Sequence, residues 1–456
     1  MTVWTPAQAI LELGDGFYDR VAAADFPQAV LRFRNDRAAT SVGLDLDDAA
    51  WVRHFGRFEA LPGSLTTPLA LRYHGHQFRT YNPDLGDGRG FLFGQCVDDR
   101  GRLLDFGTKG SGQTPWSRFG DGRLTLKGGV REVLATALLE ALGVETSKTF
   151  SLIETGEELA RGDEPSPTRS AVMVRLSHSH IRYGSFQRLA ALGDADGLAR
   201  LTAYVLHHYF EPSDDPYAAL IDHAVSNAAR QAATMMAAGF VHGVLNTDNI
   251  NITGESFDYG PYRFAPSWDE EFTAAYFDHH GLYAFGRQAE ALQWNVYQLA
   301  LALRTVAPTE ALRPALEAYP ARYEAAFAAA MLARLGVLPR DAVSDIALAD
   351  TIVAGLKASA MPMDRFWFDW RGGVRRGPSE ADASYALPAF APFIAQVAAY
   401  VPAARVDHPY WSDTVPCGLP IAEIEAIWAR IAEADDWSAL TAKLAGIERL
   451  RQAMAG

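Results

Sequence analysis

The stretch that decides the fold runs from Phe240 to Tyr262 and reads FVHGVLNTDNINITGESFDYGPY. Within it, His242 and Asn249 stand seven positions apart, and Asp258 opens the tripeptide DYG. Asn and Asp side chains offer the oxygen ligands that Mg²⁺ prefers, usually completed by substrate phosphates and water. A simple turn is the alternative, because both residue types often order loops. The succession of a His-led loop and an acidic tripeptide favours metal ligands at Asn249 and Asp258.

Protein kinases and their small-molecule relatives arrange these residue types as H-x-D-x-x-x-x-N followed by DFG. In this chain the position of the kinase base is occupied by Val244, which cannot accept a proton. Asp248 is the only carboxylate left inside the loop, so it is either the base for an acceptor hydroxyl or a residue that orders the loop. The stretch therefore predicts a kinase framework adapted to other chemistry.

A kinase-like site also needs a lysine for phosphate oxygens, held by a glutamate on the next helix. Lys109 ends a predicted strand, and Glu132 lies in the first turns of a helix predicted after Gly128 and Gly129. Glu132 is off the apolar stripe of that helix, so we expect it to face a partner or water. Two unrelated surface charges are the alternative, but the loop downstream favours a functional pair.

The kinase tripeptide itself occurs upstream, where Asp105 begins the letters DFG. No loop with a catalytic His and Asn precedes it, and it lies on the strand that ends at Lys109. We interpret Asp105 as a strand residue.

Two arginines, Arg175 and Arg182, flank the letters LSHSHI at the predicted junction of two lobes. The arginine fork suits phosphate oxygens better than the lysine ammonium does. The pair would give an unusually cationic pocket inside an acidic protein. Ordinary ion pairing with surface carboxylates is the alternative.

The order of the predicted elements indicates an α+β fold with the bilobal plan of protein kinases, a strand-rich N-lobe followed by a mostly helical C-lobe. We divide the chain into an N-terminal helical extension (1–60), an N-lobe with the nucleotide-binding loop (61–185), a C-lobe with the catalytic loop and metal site (186–310), and a C-terminal helical part (311–456). The predicted strands are Phe91–Val97, Leu103–Lys109, Thr149–Thr155 and Ala171–Leu176. The predicted helices include Ala7–Leu13, Asp47–Phe55, Asp194–Tyr209, Tyr217–Ala238, Gln288–Val306, Pro320–Leu335, Val343–Ser359, Ile421–Ala434 and Ser438–Met454.

Bulk composition narrows the class of protein. The 456 residues carry a formal net charge of −14, which argues against a surface that coats nucleic acid. Two cysteines, Cys96 and Cys417, provide neither a disulfide framework nor a zinc site, so we expect a cytoplasmic protein. The chain shows no secretory signal and no apolar stretch of membrane-spanning length, so we expect no membrane partner.

Several stretches between residues 70 and 305 resemble the selenoprotein O family in its bacterial form, and they occur in the same order along the chain. They are long and specific enough to make chance agreement improbable. The stretches are Asn82–Gly90 (NPDLGDGRG), Lys109–Pro115 (KGSGQTP), Gly120–Arg123 (GDGR), Arg175–Gly184, His242–Gly260 and Gln293–Asn295 (QWN).

The resemblance implies a kinase-like fold that transfers AMP, not phosphate, from ATP to Ser, Thr or Tyr hydroxyls of proteins; UMP transfer is also attributed to the family. It implies Mg²⁺ or Mn²⁺ at Asn249 and Asp258, an ion pair of Lys109 with Glu132, and Asp248 as the base. The residues that it places around the nucleotide are Gly86, Gly88, Arg89, Lys109, Asp121, Gly122, Arg175, Arg182 and Asp258.

AMP transfer requires attack at the α-phosphorus, with pyrophosphate leaving. If ATP lies reversed in a kinase cleft, its β- and γ-phosphates need a cationic clamp, which Arg175 and Arg182 would supply. Two alternatives stay open: a kinase in which Asp248 replaces the missing base, and an inactive scaffold that only binds nucleotide. Family members with selenocysteine carry it near the C-terminus, whereas this chain ends MAG, so we do not expect redox regulation there.

Overall fold

The computed structural model describes residues 2–162, 164–403 and 405–455. A nine-stranded antiparallel sheet dominates its first part, and helices dominate the rest. The strands are β1 (Thr5–Ala7), β2 (Tyr18–Arg20), β3 (Val30–Arg34), β4 (Leu69–Leu71), β5 (Gly75–Gln77), β6 (Thr80–Asn82), β7 (Leu92–Val97), β8 (Leu103–Lys109), β9 (Leu124–Thr125), β10 (Lys148–Leu159), β11 (Thr168–Ser177), β12 (Phe240–Val241) and β13 (Arg263–Phe264).

The main path of the large sheet is β2-β4-β7-β8-β11-β10-β3, with β1 paired to β7 and β9 to β11. Strands β5 and β6 form a separate hairpin, and β12 and β13 form a second small pair. Strands β8 and β11 lie in the middle, where Lys109 stands opposite Met173 and Gly107 opposite Arg175. Because side chains two apart on a strand share a face, this register puts Lys109 and Arg175 on the same face of the sheet.

The helices confirm the prediction of a helix-rich second part, since all seven helices predicted after residue 185 form with ends within about three residues of the expected ones. The helices are α1 (Asp36–Ser41), α2 (Asp48–Phe55), α3 (Leu126–Ala141), α4 (Tyr183–Ala191), α5 (Ala195–Tyr209), α6 (Pro216–Ala237), α7 (Gln288–Leu303), α8 (Thr309–Glu317), α9 (Tyr319–Leu335), α10 (Ala342–Ser359), α11 (Met363–Asp369), α12 (Asp382–Tyr385), α13 (Ala391–Val397), α14 (Ile421–Ala434) and α15 (Ser438–Ala455). None of the helices in the described ranges has the length and apolarity needed to cross a membrane.

The helix predicted over Ala7–Leu13 is wrong. Residues 5–7 instead pair with β7, and only a short 3₁₀ helix follows at Ala9–Leu13. The backbone N–H of Ile10 donates to Gln95 Oε1 at 2.8 Å, so tertiary contacts with the sheet replace a helix too short to be stable alone. Strands β2 and β3 form the two ends of the main path of the sheet. The first 60 residues thus supply strands to the sheet as well as the helix predicted at Asp47–Phe55.

Helix α3 begins before the two glycines that were expected to precede it. Thr125 caps the helix by accepting a hydrogen bond from the N–H of Gly128 at 3.1 Å. Gly129 then lies within the first turns, where a Cβ would come within 2.4 Å of the Leu152 side chain. The glycine therefore allows α3 to pack closely on β10.

The two C-terminal helices pack on the same helix. Leu134 and Leu138 of α3 share one buried cluster with Ile427 of α14 and Ile447 of α15. The C-terminal end of the chain thus covers the helix that carries Glu132.

We predict that Ile447→Ala lowers the thermal unfolding midpoint, because Ile447 is only 2% exposed and such a truncation costs about 2–5 kcal/mol. The matched control is Val343→Ala, which removes an aliphatic side chain that is 80% exposed. Equal midpoints for the two variants, measured by circular dichroism, would contradict the packing of α15 in this core.

Candidate active site

His242 holds the catalytic loop to the segment that leads into the DYG tripeptide. Its Nε2–H donates to the carbonyl oxygen of Phe257 at 2.9 Å, and its Nδ1 accepts from the N–H of Val244 at 3.4 Å. Burial lowers the pKa of His242, which favours the neutral imidazole that these two contacts require. The first residue of the motif is therefore a structural link.

The β5–β6 hairpin anchors the same loop from the other side. Asn246 Oδ1 accepts from the N–H of Phe78 at 3.0 Å, and Thr247 Oγ1 accepts from the N–H of His76 at 2.7 Å. The hydroxyl of Thr247 also donates to Gln187 on α4 at 2.7 Å. The hairpin and α4, both far from the loop in sequence, thus fix the loop that bears Asp248 and Asn249.

Lys109 contacts both Glu132 and Asp258 through its Nζ. Glu132 is 2% exposed and faces this partner, not water. Burial alone would raise the pKa of the Asp258 carboxyl, but Lys109 and Arg175 hold that pKa well below its usual value, so Asp258 is ionised. Asp258 also has a φ of 65°, a left-handed conformation that non-glycine residues adopt at a cost and that concentrates at functional sites.

Asp248 and Asn249 lie on a 3₁₀ turn that faces the cleft. Asp248 is 7% exposed, and its Oδ1 has no hydrogen-bond partner among the described residues. Burial raises the pKa of Asp248 to about 6, although Arg182 opposes the shift. The side-chain N–H of Asn249 donates to the carbonyl of Val244 at 3.0 Å. This bond uses the amide nitrogen, so the side-chain oxygen of Asn249 takes no part in it.

Arg175 and Arg182 are both buried, at 5% exposure, so neither is a surface residue. Arg182 donates to the carbonyl of Asp248 at 2.7 Å and to Asp87 Oδ1 at 3.2 Å. Arg175 lies 3.8 Å from Asp258 Oδ1, and its Nε and Nη1 make no hydrogen bond within the described ranges. Both guanidinium groups lie over the ring of Phe257, at 5.3 Å and 4.7 Å from its centroid. Arg175 therefore has unused donors in a low-dielectric site.

These side chains line one cavity of about 660 Å³, a volume suited to a small-molecule ligand. Seven Lys and Arg side chains line it against four Asp side chains, an excess of positive charge that suits a polyanion. Glu132 is the one predicted site residue that does not line the cavity. The others line the cavity: Gly86, Gly88, Arg89, Lys109, Asp121, Gly122, Arg175, Arg182, Asp248, Asn249 and Asp258.

The glycine-rich loops shape the outer part of this cavity. A Cβ on Gly86 would lie 2.4 Å from the ring of Trp116, so the loop at Gly86 and the loop at Trp116 can approach only with glycine there. Asp121 lies at the rim, where Arg161 forms two hydrogen bonds to its carboxylate at 2.8 and 3.1 Å.

Sequence reasoning missed Asp87 and His180. The carboxylate of Asp87 accepts from both Arg182 and the N–H of Leu71, so it orients the arginine. The sequence feature that could have identified Asp87 is its position in NPDLGDGRG, between Gly86 and Gly88, which were both expected at the nucleotide. His180 lines the inner end of the cavity, and Gly107 makes room for it, because a Cβ there would lie 1.9 Å from His180 Nε2.

The upstream DFG now has a structural explanation. As predicted, Asp105 is a strand residue of β8, and it is 1% exposed. Its carboxylate accepts from Gln95 Nε2 at 2.7 Å and from the N–H of His180 at 2.8 Å. Asp105 thus supports the wall of the cleft from behind.

The described ranges contain no cluster of three or more His, Cys, Asp and Glu side chains able to hold a metal ion. Asn249 and Asp258 supply an amide oxygen and an ionised carboxylate, a donor set that fits Mg²⁺ when phosphates and water complete it. The donors therefore fit a metal that arrives with a phosphate substrate.

Comparison with known proteins agrees with this geometry. The family model described as protein adenylyltransferase SelO matches residues 4–383. The chain belongs to this family. It is therefore an enzyme, a protein adenylyltransferase that transfers AMP to proteins.

Curated relatives cover most of the chain. A protein nucleotidyltransferase YdiU of Synechocystis sp. is 51% identical over 338 residues, which cover 72% of this chain and 70% of that protein. The protein of the same name from Gloeobacter violaceus is 45% identical over 449 residues, which cover 94% of this chain and 92% of its own. Similarity thus extends well beyond residue 310, further than the sequence motifs had indicated.

We predict that Arg175→Met leaves the free protein as stable as the native chain or makes it more stable, because it removes a buried charge with unused donors. The same variant should lose the rise in thermal midpoint that inorganic tripolyphosphate gives the native protein. Arg230→Met, which changes a half-exposed arginine paired with Glu145, should keep that rise. A full tripolyphosphate shift in Arg175→Met would show that Arg175 does not bind phosphate.

Proposed function

We propose that the cleft binds ATP in the reverse of the kinase orientation, with its β- and γ-phosphates at the inner end. The observation that carries this proposal is the buried pair Arg175 and Arg182, which gives the cleft buried positive charge. In the proposed kinase-like fold, this end of the cleft would correspond to the adenine site of a kinase. Arginine forks with free N–H groups in a dry pocket stabilise phosphate oxygens strongly. The acceptors would be Ser, Thr or Tyr hydroxyls of protein substrates.

We further propose that the sheet and α3 form the N-lobe of a kinase-like bilobal fold, with the lobe boundary near residue 185. In this division, residues 61–185 cover the nucleotide, 186–310 carry the catalytic loop, and 1–60 and 311–456 are additions to the two lobes. The pairing of Lys109 with Glu132 on the following helix supports the division, because kinases make the same pairing.

In the proposed reaction, a protein hydroxyl oxygen attacks the α-phosphorus of ATP. The bond from the α-phosphorus to the bridging oxygen breaks, and pyrophosphate leaves. Asp248 accepts the hydroxyl proton through its unpaired Oδ1. Lys109 binds phosphate oxygens near the α-phosphorus, and Arg175 and Arg182 stabilise the charge that develops on pyrophosphate.

Asn249 and Asp258 would hold the Mg²⁺ or Mn²⁺ ion. When bound, the ion neutralises phosphate charge and polarises the phosphoryl oxygen. Lys109, which also contacts Glu132, and Arg175 keep the Asp258 carboxylate ionised. Asn249 is oriented by its bond to the Val244 carbonyl.

The alternative of γ-phosphate transfer has less support. Val244 lines the cavity at the position of the kinase base and offers no proton acceptor there. We also propose a cytoplasmic location, since Cys96 is buried, Cys417 is half-buried, and both are free thiols.

We predict that protein is labelled by ATP carrying ³²P at the α-phosphate and not at the γ-phosphate. Asp258→Ala should abolish the label, because it removes the ionised carboxylate of the metal site. The assay is gel autoradiography of a cell lysate incubated with the enzyme. Label that arrives only from the γ-phosphate would instead establish a kinase.

We predict that Asp248→Asn lowers kcat for AMP transfer by about 10²–10⁴-fold, the usual contribution of a general base. The KM for ATP should change little, because the substitution keeps size and removes only the proton-accepting charge. Asp15→Asn, at a carboxylate with 86% of its side chain exposed, is the control. A native kcat in Asp248→Asn would refute the assignment of the base.

A further inference from the structure

Phe119 is fully exposed, yet it lines the same cavity as Lys109 and Arg182. Its position is at the rim, in the loop between β8 and β9, near Asp121. Leaving a phenylalanine side chain in water forgoes about 1.5–3 kcal/mol of burial free energy. A ring held at the mouth of a nucleotide cleft without contacts is available to a ligand.

The other Tyr, Phe and Trp side chains among the described residues of the lining are already committed. Tyr73 is 7% exposed and lies 4.5 Å beneath the guanidinium of Arg182. Phe91 is 2% exposed and belongs to the core of the sheet. Trp116 packs on Gly86 and donates its Nε1–H to Asp19 at 2.9 Å. Phe119 is therefore the aromatic ring that the cavity offers to a bound ligand.

The loop that carries Phe119 is fixed at its base. Thr114 Oγ1 donates to the carbonyl of Asp87 at 2.6 Å, which ties the loop to the segment that orients Arg182. Gln113 Nε2 donates to the carbonyl of Gly120 at 2.8 Å, and the N–H of Gly120 donates to Ser117 at 2.7 Å. These bonds close a tight turn with Phe119 at its tip. The ring thus extends from an anchored support, not from a loose segment.

We propose that Phe119 stacks on the nucleobase of the bound nucleotide and sets the preference for a purine. The inference rests on the proposed orientation of ATP, because phosphates at the inner end leave the base at the rim where Phe119 lies. Base–aromatic stacking contributes through the π face of the base, and a purine offers a larger face than a pyrimidine. Phe119 therefore favours ATP over UTP without any hydrogen bond to the base.

The test is isothermal titration of ATP, UTP and inorganic tripolyphosphate against the full chain and its variants. Phe119→Leu keeps an apolar side chain and loses the ring, and it should weaken ATP binding about tenfold. Phe119→Tyr should bind ATP as the native chain does. Tripolyphosphate has no base, so its affinity should be the same in all three. Tyr297→Ala, at an exposed ring outside the cavity, should match the native chain throughout.

Steady-state kinetics separate a base contact from a loop effect. Phe119→Leu should raise the KM for ATP more than the KM for UTP and leave kcat unchanged. Native ATP affinity in Phe119→Leu would overturn the inference, and so would an equal loss for ATP and tripolyphosphate. A different result would contradict the reversed orientation itself: Arg182→Ala would then bind tripolyphosphate with the same affinity as the native chain.

Discussion

The contact of Lys109 with two carboxylates is the interaction on which the rest of the site depends. Lys109 belongs to the sheet, Glu132 to α3, and Asp258 to the segment after the catalytic loop. Lys109 and Glu132 are buried and Asp258 is partly buried, so these charges are costly to remove from water. Breaking such a set by losing one partner usually costs more than the set contributes to stability. The contact therefore fixes the mutual position of the three elements more than it stabilises the chain.

The same cleft carries positive charge beyond what its own carboxylates neutralise. Arg175 shares Asp258 with Lys109, and two of its nitrogen atoms have no hydrogen-bond partner among the described residues, although the protein as a whole has a net charge of −14. A stable fold has no need of such a group, since an apolar side chain would fill the space at lower cost. The proposed binding of ATP would explain its presence, because the phosphates would remove the penalty that the cleft carries in the free protein.

How much of this was predictable from the sequence depends on whether a residue acts through a motif or through packing. Lys109 and Asp258 were predicted from motifs in their order along the chain, and Asp248 as the only carboxylate left in the loop. The structure brings all three to one cavity. The first strands were not predicted, because Thr5–Ala7 is extended only through its pairing with β7. The burial of Arg175 could not be predicted either, because the register of β8 and β11 decides which face of the sheet Arg175 occupies. No local sequence pattern encodes that register.

The C-terminal helices connect the site to the far end of the chain. Helix α3 presents Glu132 to Lys109 on one side and packs against α14 and α15 on another. Displacement of α15 would remove apolar contacts from α3 and so weaken the support that positions Glu132. The pairing with Lys109 would weaken in turn, because a buried ion pair tolerates little change in geometry. Residues of α15, more than 300 positions downstream of Glu132, thus belong to the support of the site, although no described residue of this helix lines the cavity.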